Sequence, residues 1–110
     1  MKQYELAKDY LCKSKDLLED IGDSLGLSDL LNNLGNLFAI EGNLTEAEIY
    51  INKSLSFALS VNHLRGESTA HLSLGKLSLI KNNMRDAIVE FEKALEKADR
   101  KSTRLNSSHQ

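Results

Sequence analysis

The residue types that usually carry out catalysis or bind metals are few in this sequence and are poorly placed for either. His63 and His71 lie eight residues apart, with neither a neighbouring cysteine nor an HExxH pattern, so their spacing does not suit a zinc site. Cys12 has no adjacent motif that would make it a nucleophile, and it fits the role of a small residue on a helix. We therefore expect no catalytic residues, no metal, no cofactor and no enzymatic activity in this chain.

Amide side chains are the better candidates for binding. Asn32, Asn33 and Asn36 lie within about one turn of a predicted helix. An asparagine amide can donate to a peptide carbonyl and accept from a peptide N–H, so it can bind a backbone without demanding a particular side chain. The alternative is that these asparagines form only the polar face of an amphipathic helix, and the sequence leaves both interpretations open.

Composition and charge narrow the class of protein. The chain has 110 residues, of which 41% are hydrophobic and 27% charged, with no proline and no tryptophan. This length and balance indicate one globular domain, and no charge-free stretch approaches the ~20 residues of a membrane span. A net charge of −2 gives no reason to expect nucleic acid or an anionic membrane as a partner. Because Cys12 has no second cysteine to pair with, we expect a cytoplasmic protein.

Apolar residues recur at intervals of three and four along most of the chain, which is the pattern of amphipathic helices. No segment shows the sustained alternation of a strand. Glycine and asparagine residues mark the breaks between the apolar segments. The sequence predicts five helices, over Gln3–Ile21, Leu25–Ile40, Leu44–Val61, Arg65–Lys81 and Met84–Ala98.

The helices repeat with a period of forty residues. A shift by this period aligns Leu34-Gly35 with Leu74-Gly75 and Ala47 with Ala87. A glycine inside a helix costs ~1 kcal/mol relative to alanine, so two glycines in equivalent places indicate a close approach of a neighbouring helix. We interpret residues 1–98 as one domain, made of a half repeat (1–21), a repeat (22–61) and a second repeat (62–98).

These motifs resemble the tetratricopeptide repeat (TPR) in its forty-residue form. The resemblance rests on Leu34-Gly35, Phe38, Asn43–Ala47 and Ile51 in the first repeat and on Leu74-Gly75, Asn83–Ala87, Phe91 and Ala94-Leu95 in the second. The usual early tryptophan is replaced by Leu31 and His71, the second aromatic position by Ser78, and the closing proline is absent. The resemblance implies an all-α fold, in which antiparallel helical hairpins stack as a short TPR solenoid of about two and a half repeats.

The resemblance also implies where a ligand would bind. In this family the first helix of each hairpin lines a concave face that suits extended peptides or helices. Related repeats hold peptides with asparagines at the places of Asn33 and Asn36. The basic carboxylate clamp of some chaperone-binding relatives is not reproduced. The candidate peptide-binding residues are Asn32, Asn33, Asn36, Ser73 and Lys76, and the same face would include Asp29, Thr69, Leu72 and Ile80.

We therefore expect a protein–protein interaction module that binds a peptide or protein partner in its groove, as a fragment of a larger regulatory or adaptor protein. Two alternatives stay open. The repeats could serve only to oligomerise or space other domains, or they could belong to a signalling enzyme whose catalytic domain is missing. Apolar residues at both ends of the array also predict self-association; they are Leu6, Tyr10, Leu17, Ile88, Phe91 and Leu95.

The last residues differ from the rest of the chain. Residues 99–110 are polar and have no helical period, which predicts a tail outside the repeat domain. Asp99–His109 resembles the in-frame translation of a common sequencing-adapter oligonucleotide at all eleven positions. We interpret this tail as artefactual or disordered, and we leave it out of the repeat.

Overall fold

The computed structural model describes the backbone of residues 2–108 and the side chains of residues 3–103. Five α-helices make up this part of the chain and no strand is present in it, which confirms the all-α prediction. They are α1 (Lys2–Ile21), α2 (Ser24–Ile40), α3 (Leu44–Ser60), α4 (Leu64–Ile80) and α5 (Met84–Ser108).

The predicted helix bounds agree with the structure to within one residue, except at the end of α5. This helix was expected to end at Ala98, and it continues to Ser108. The added residues contain no glycine or proline, so nothing in their sequence interrupts the helix. The adapter origin of Asp99–His109 stays a prediction, as does its separation from the repeat domain.

All four turns between helices have the same geometry. Each contains one residue with positive φ, and these residues stand twenty positions apart: Gly22 (72°), Gly42 (87°), Asn62 (54°) and Asn82 (59°). In every turn the next backbone N–H donates to the carbonyl five residues earlier, at 2.8–3.0 Å. This is the Schellman type of helix end, for which glycine and asparagine are the favoured residues. The repeated turn gives α2, α3 and α4 the same length and reverses the chain each time.

The helices pack in chain order and form two layers. Each helix contacts the next one along the chain, and α2 also contacts α4 directly. The backbones of α1 and α3 do not touch each other, and neither do those of α3 and α5. The smallest dimension of the structure is 20 Å, about two helix diameters. Helices α2 and α4 therefore form one layer and α1, α3 and α5 the other, as in a short solenoid of stacked hairpins.

The first hairpin, α2–α3, is closed by a tight contact at Gly35. A Cβ atom built at this position would lie 2.6 Å from Ile51 Cγ1 and 3.1 Å from the Ala47 carbonyl oxygen. Ile51 and Ala47 are completely buried. Beside this contact, Ser28 Oγ donates to the Ser54 carbonyl at 3.0 Å, and Ser54 Oγ donates back to the Ser28 carbonyl. The predicted close approach of the hairpin helices is confirmed.

The second hairpin, α4–α5, repeats these contacts with one difference in kind. Ser68 Oγ donates to the Ala94 carbonyl at 2.8 Å, forty residues on from the bond between Ser28 and Ser54. The atoms nearest to a Cβ on Gly75 belong to the half-buried ring of Phe91 and not to backbone. Phe91, which was expected to be exposed at the end of the array, therefore packs partly inside the hairpin.

An ion pair and a histidine–glutamate hydrogen bond replace apolar contacts in the second hairpin. Lys97 Nζ lies 3.1 Å from the carboxylate of Glu67, a residue only 3% exposed. His71 Nδ1 lies 2.8 Å from Glu90 Oε2. The equivalent residues of the first hairpin are Leu27, Phe57, Leu31 and Tyr50. The two hairpins thus share one backbone arrangement with different interior chemistry.

We predict unequal effects of adding a methyl group at the two helical glycines. Gly35→Ala should lower the free energy of unfolding by about 1–2 kcal/mol, because the methyl group meets buried Ile51 and the backbone of Ala47. Gly75→Ala should cost less, since the Phe91 ring can rotate and alanine favours the helix by ~1 kcal/mol. Urea unfolding followed by circular dichroism measures both. Ser56→Ala, at an exposed site on α3, is the control, and equal losses at both glycines would contradict the prediction.

We also predict that removing one member of the buried ion pair lowers the free energy of unfolding more than replacing both members by apolar residues. Lys97→Met should lower the free energy of unfolding by about 3 kcal/mol, because Glu67 then stays buried without a partner. The double substitution Glu67→Leu with Lys97→Phe installs the pair of the first hairpin and should recover most of that loss. Lys93→Met, which removes an exposed lysine from its 3.6 Å pair with Glu90, is the control in the same unfolding experiment. A loss for Lys97→Met no larger than the control's would refute this account.

Candidate functional site

Helix α2 presents two surfaces on which a ligand could lie. One is shared with α4 and holds the residues predicted from the sequence. The other is the floor of a cleft between α1 and α3, whose backbones stay apart. The two surfaces lie on different sides of α2, and they differ in polarity.

The surface shared with α4 begins at the amino-terminal ends of the two helices. A Cβ on Gly66 of α4 would lie 3.0 Å from Ser28 Oγ of α2. Asp29 lies 3.4 Å from His63 Nε2 and 3.7 Å from Arg65 Nη2. Because α2 and α4 run in the same direction, the next turns of the two helices also lie side by side.

The structure divides the predicted site residues into exposed and buried ones. Asn33 and Lys76 are exposed and Asn36 is half-buried, whereas Asn32 and Ser73 are each only 5% exposed. The Oδ1 atom of Asn32 is buried and has no hydrogen-bond partner within the described part of the chain. We call the accessible residues, Asn33, Asn36 and Lys76, the polar strip.

The polar strip offers hydrogen-bonding groups that the protein leaves unused. Its neighbours are engaged: Asp29 with His63 and Arg65, and Thr69 Oγ1 with the Arg65 carbonyl at 2.8 Å. Among residues 3–103, no side-chain hydrogen bond or ion pair involves a residue of the polar strip. Two amides and one ammonium group are therefore free to bind a peptide backbone and an anionic group.

The cleft between α1 and α3 is the second surface, and it is apolar at its base. Its cavity has a volume of about 300 Å³. Leu27 and Leu31 of α2 form the floor and are at most 4% exposed, while Tyr50 and Phe57 of α3 form one wall. Tyr50 also stacks on Phe38, with ring centroids 5.3 Å apart and planes 4° from parallel.

Charged side chains border this cleft, which we call the basic cleft. Lys15 of α1 and Lys53 of α3 line it together with Glu19. Lys15 Nζ donates to Glu19 Oε1 at 3.0 Å, and this hydrogen bond raises the pKa of Lys15. Lys53 Nζ lies 5.3 Å from the centroid of the Tyr50 ring, and no carboxylate lies within 4 Å of it among the described residues. The lining therefore carries two positive charges and one negative charge.

A second cavity lies between α3 and α5, and charged residues of mostly negative sign line it. Ser78 and Glu90 stand where Phe38 and Tyr50 form the aromatic stack, which leaves a cavity of about 320 Å³. Glu48, Asp86 and Glu90 line it with a single lysine, Lys81. This cavity shares only Glu90 with the residues that are equivalent to the lining of the basic cleft, so the two cavities lie at different places along the helices.

One ion pair of each repeat shows a reversal of charge between the repeats. Lys8 Nζ lies 2.9 Å from Glu41 Oε1 in the first repeat, and Lys81 Nζ lies 2.6 Å from Glu48 Oε2 in the second. These pairs occupy equivalent positions, because Lys8 aligns with Glu48 and Glu41 with Lys81. The hydrogen bond to Glu41 raises the pKa of Lys8. The positions are kept in both repeats while the signs of the charges are exchanged.

The sequence reasoning missed the basic cleft entirely. Its residues lie on three helices, and none of them belongs to a motif with known chemistry. A signal was present in the forty-residue alignment, where Tyr50 aligns with Glu90 and Phe57 aligns with Lys97. These differences between aligned residues indicate the cleft, whereas the identities between the repeats indicate only the shared backbone.

The described residues offer neither a metal site nor a membrane span. Within the described residues, no group of three or more His, Cys, Asp or Glu side chains is placed to hold a metal ion. Over the same residues, none of the helices has the length and apolar character needed to cross a membrane.

Comparison with known proteins identifies the hairpin that carries the polar strip. The family model of the tetratricopeptide repeat matches residues 28–60, which cover most of α2 and all of α3. No curated protein and no solved structure matched the chain. Repeats of this family are typically non-catalytic and mediate protein–protein interactions. The match over the first hairpin and the stacked helical hairpins of the structure together support a tetratricopeptide repeat in this chain, at residues 28–60.

Proposed function

We propose that the chain binds an extended peptide segment of a partner protein along the polar strip of α2 and α4. The observation that carries this proposal is the free hydrogen-bonding capacity of Asn33 and Asn36 beside a helix, α4, that runs parallel to their own. Repeat proteins use such stacked helices as binding surfaces for peptides and helices.

The exposed asparagines would bind the backbone of the peptide. Each amide presents one acceptor and two donor hydrogens, so it can pair with both the N–H and the carbonyl of an extended residue. Lys76 lies on the same side of the array and adds one positive charge, which favours an acidic side chain or a carboxylate in the partner. Asn32 and Ser73 are buried beneath the strip, so we assign them the role of supporting the surface. Their direct contact with a ligand stays a prediction.

A cytoplasmic setting fits the one cysteine. Cys12 is exposed and unpaired on α1. An exposed thiol of this kind persists where the surroundings are reducing. We therefore keep the cytoplasm as the proposed location and a protein or peptide as the proposed partner.

The proposal predicts that the two asparagines determine peptide affinity. Peptides selected from a displayed library against the chain should share a consensus, and the double substitution Asn33→Ala with Asn36→Ala should weaken their binding roughly tenfold. The reason is the loss of hydrogen bonds worth about 0.5–1.5 kcal/mol each. Fluorescence anisotropy titration measures the dissociation constants.

Asn52→Ala provides the matched control, since Asn52 is an exposed asparagine on α3, outside the polar strip. It should leave affinity unchanged. Equal affinity of the double variant and the wild type would remove Asn33 and Asn36 from the site. A selection that returns no consensus would favour the alternative in which the repeats only space or oligomerise other domains.

A further inference from the structure

We propose that the basic cleft between α1 and α3 binds the outer face of α5 from a second copy of this chain. The contact would join two different surfaces, so copies would associate head to tail. This inference goes beyond the proposed function, because neither surface includes a residue of the polar strip.

The apolar part of the contact is one leucine entering a cavity. Leu95 of α5 is 64% exposed, and Ile88 on the same side of the helix is 56% exposed. The basic cleft offers buried Leu27 and Leu31 as a floor, and its volume of about 300 Å³ lies at the lower end of the ~300–1,000 Å³ typical of ligand sites. A cavity of this size suits one inserted side chain.

The charged part of the contact surrounds that leucine. Glu92 and Glu96 are exposed and lie three residues before and one residue after Leu95, so all three side chains share one side of α5. Within residues 3–103 neither glutamate forms an ion pair. Lys15, Lys53 and Glu19 border the cavity that would receive Leu95, so its rim carries one net positive charge, and no carboxylate of the described residues pairs with Lys53. Two acidic groups beside an apolar side chain thus meet a rim of net positive charge above an apolar floor.

The second repeat explains why α5 would select one cleft. At the position equivalent to the basic cleft, buried Glu67 and His71 stand in place of Leu27 and Leu31, so an apolar floor is lacking there. The separate cavity between α3 and α5 is lined by Glu48, Asp86 and Glu90 with one lysine, so it would repel the glutamates of α5. Of these places, the basic cleft combines an apolar floor with a net positive charge.

The geometry predicts an open chain of copies and not a closed dimer. When two different surfaces of one molecule meet, each copy retains one free cleft and one free α5 face, and association continues unless a rotation closes a ring. Ion pairs at an exposed rim are screened by salt, since the Debye length falls from ~10 Å at 0.1 M to ~3 Å at 1 M. Association should therefore rise steadily with protein concentration and weaken with salt.

Sedimentation velocity of the full chain and two charge-reversal variants tests the contact. One variant carries Lys15→Glu and Lys53→Glu in the cleft, and the other carries Glu92→Lys and Glu96→Lys on α5. Each variant alone should associate at least about tenfold more weakly than the wild type, because like charges then face each other across the contact. An equimolar mixture of the two should associate again, because the acidic α5 face of one variant meets the basic cleft of the other, and the two reversed surfaces also carry opposite charges.

Several controls keep the result decisive. Lys13→Glu with Arg65→Glu changes the net charge as the cleft variant does, at exposed positions outside both surfaces, and should associate like the wild type. Lys53→Glu alone, which breaks no ion pair of the described structure, should still weaken association if the double variant unfolds. Three outcomes would each overturn the proposal: a wild-type chain that stays monomeric at high concentration, charge-reversal variants that associate like the wild type, or a mixture of the two variants that does not associate. The Asn33 and Asn36 substitutions should leave association unchanged. A failure of the self-association proposal can therefore be distinguished from a failure of the peptide-binding proposal.

Discussion

The arrangement of this protein depends on a backbone conformation that recurs every twenty residues. Gly22, Gly42, Asn62 and Asn82 all adopt positive φ and end a helix in the same way. Because the turns are equivalent, successive helices reverse direction and remain in the same register with their neighbours. Glycine and asparagine are the residues that tolerate this conformation most easily, and both occur here at the required positions. The surfaces described above exist because this turn brings helices from alternate positions in the chain into two layers.

Within that regular backbone, each hairpin is closed by contacts that fix the distance between its two helices. Gly35 permits the close approach of α2 and α3, Gly75 makes room for the ring of Phe91, and Ser28 and Ser68 bond to the carbonyls at equivalent positions of the partner helix. The serine hydrogen bonds are the same in both repeats. They hold the distance between the helix axes, which cannot change without a lost hydrogen bond or, at Gly35, a clash.

The side chains between the hairpin helices and at the inter-repeat clefts are free to differ, and they do. An aromatic and leucine lining in the first repeat becomes the pairs of Glu67 with Lys97 and His71 with Glu90 in the second. The ion pair between Lys8 and Glu41 becomes one between Glu48 and Lys81 with its charges exchanged. The same backbone geometry therefore carries an apolar lining in the first repeat and a polar, charged one at the equivalent positions of the second. In a chain of net charge −2, this gives two distinct surfaces to a molecule with few residues suited to other chemistry.

The sequence by itself determined the helices, their bounds and the repeat. Apolar spacing and the turn residues are local properties, and the forty-residue shift that aligns Gly35 with Gly75 follows from them directly. The exception is the end of α5. The loss of apolar period predicted that this helix ends at Ala98, but it continues to Ser108, because no glycine or proline interrupts it. Only the tertiary structure decided which polar residues are accessible. Asn32 and Asn33 are neighbours of the same type, yet one is buried and the other exposed, because the contact with α4 covers one side of α2. The basic cleft likewise depends on three helices meeting, since Lys15, Leu31 and Lys53 become neighbours only when α1 and α3 pack on α2 without touching each other.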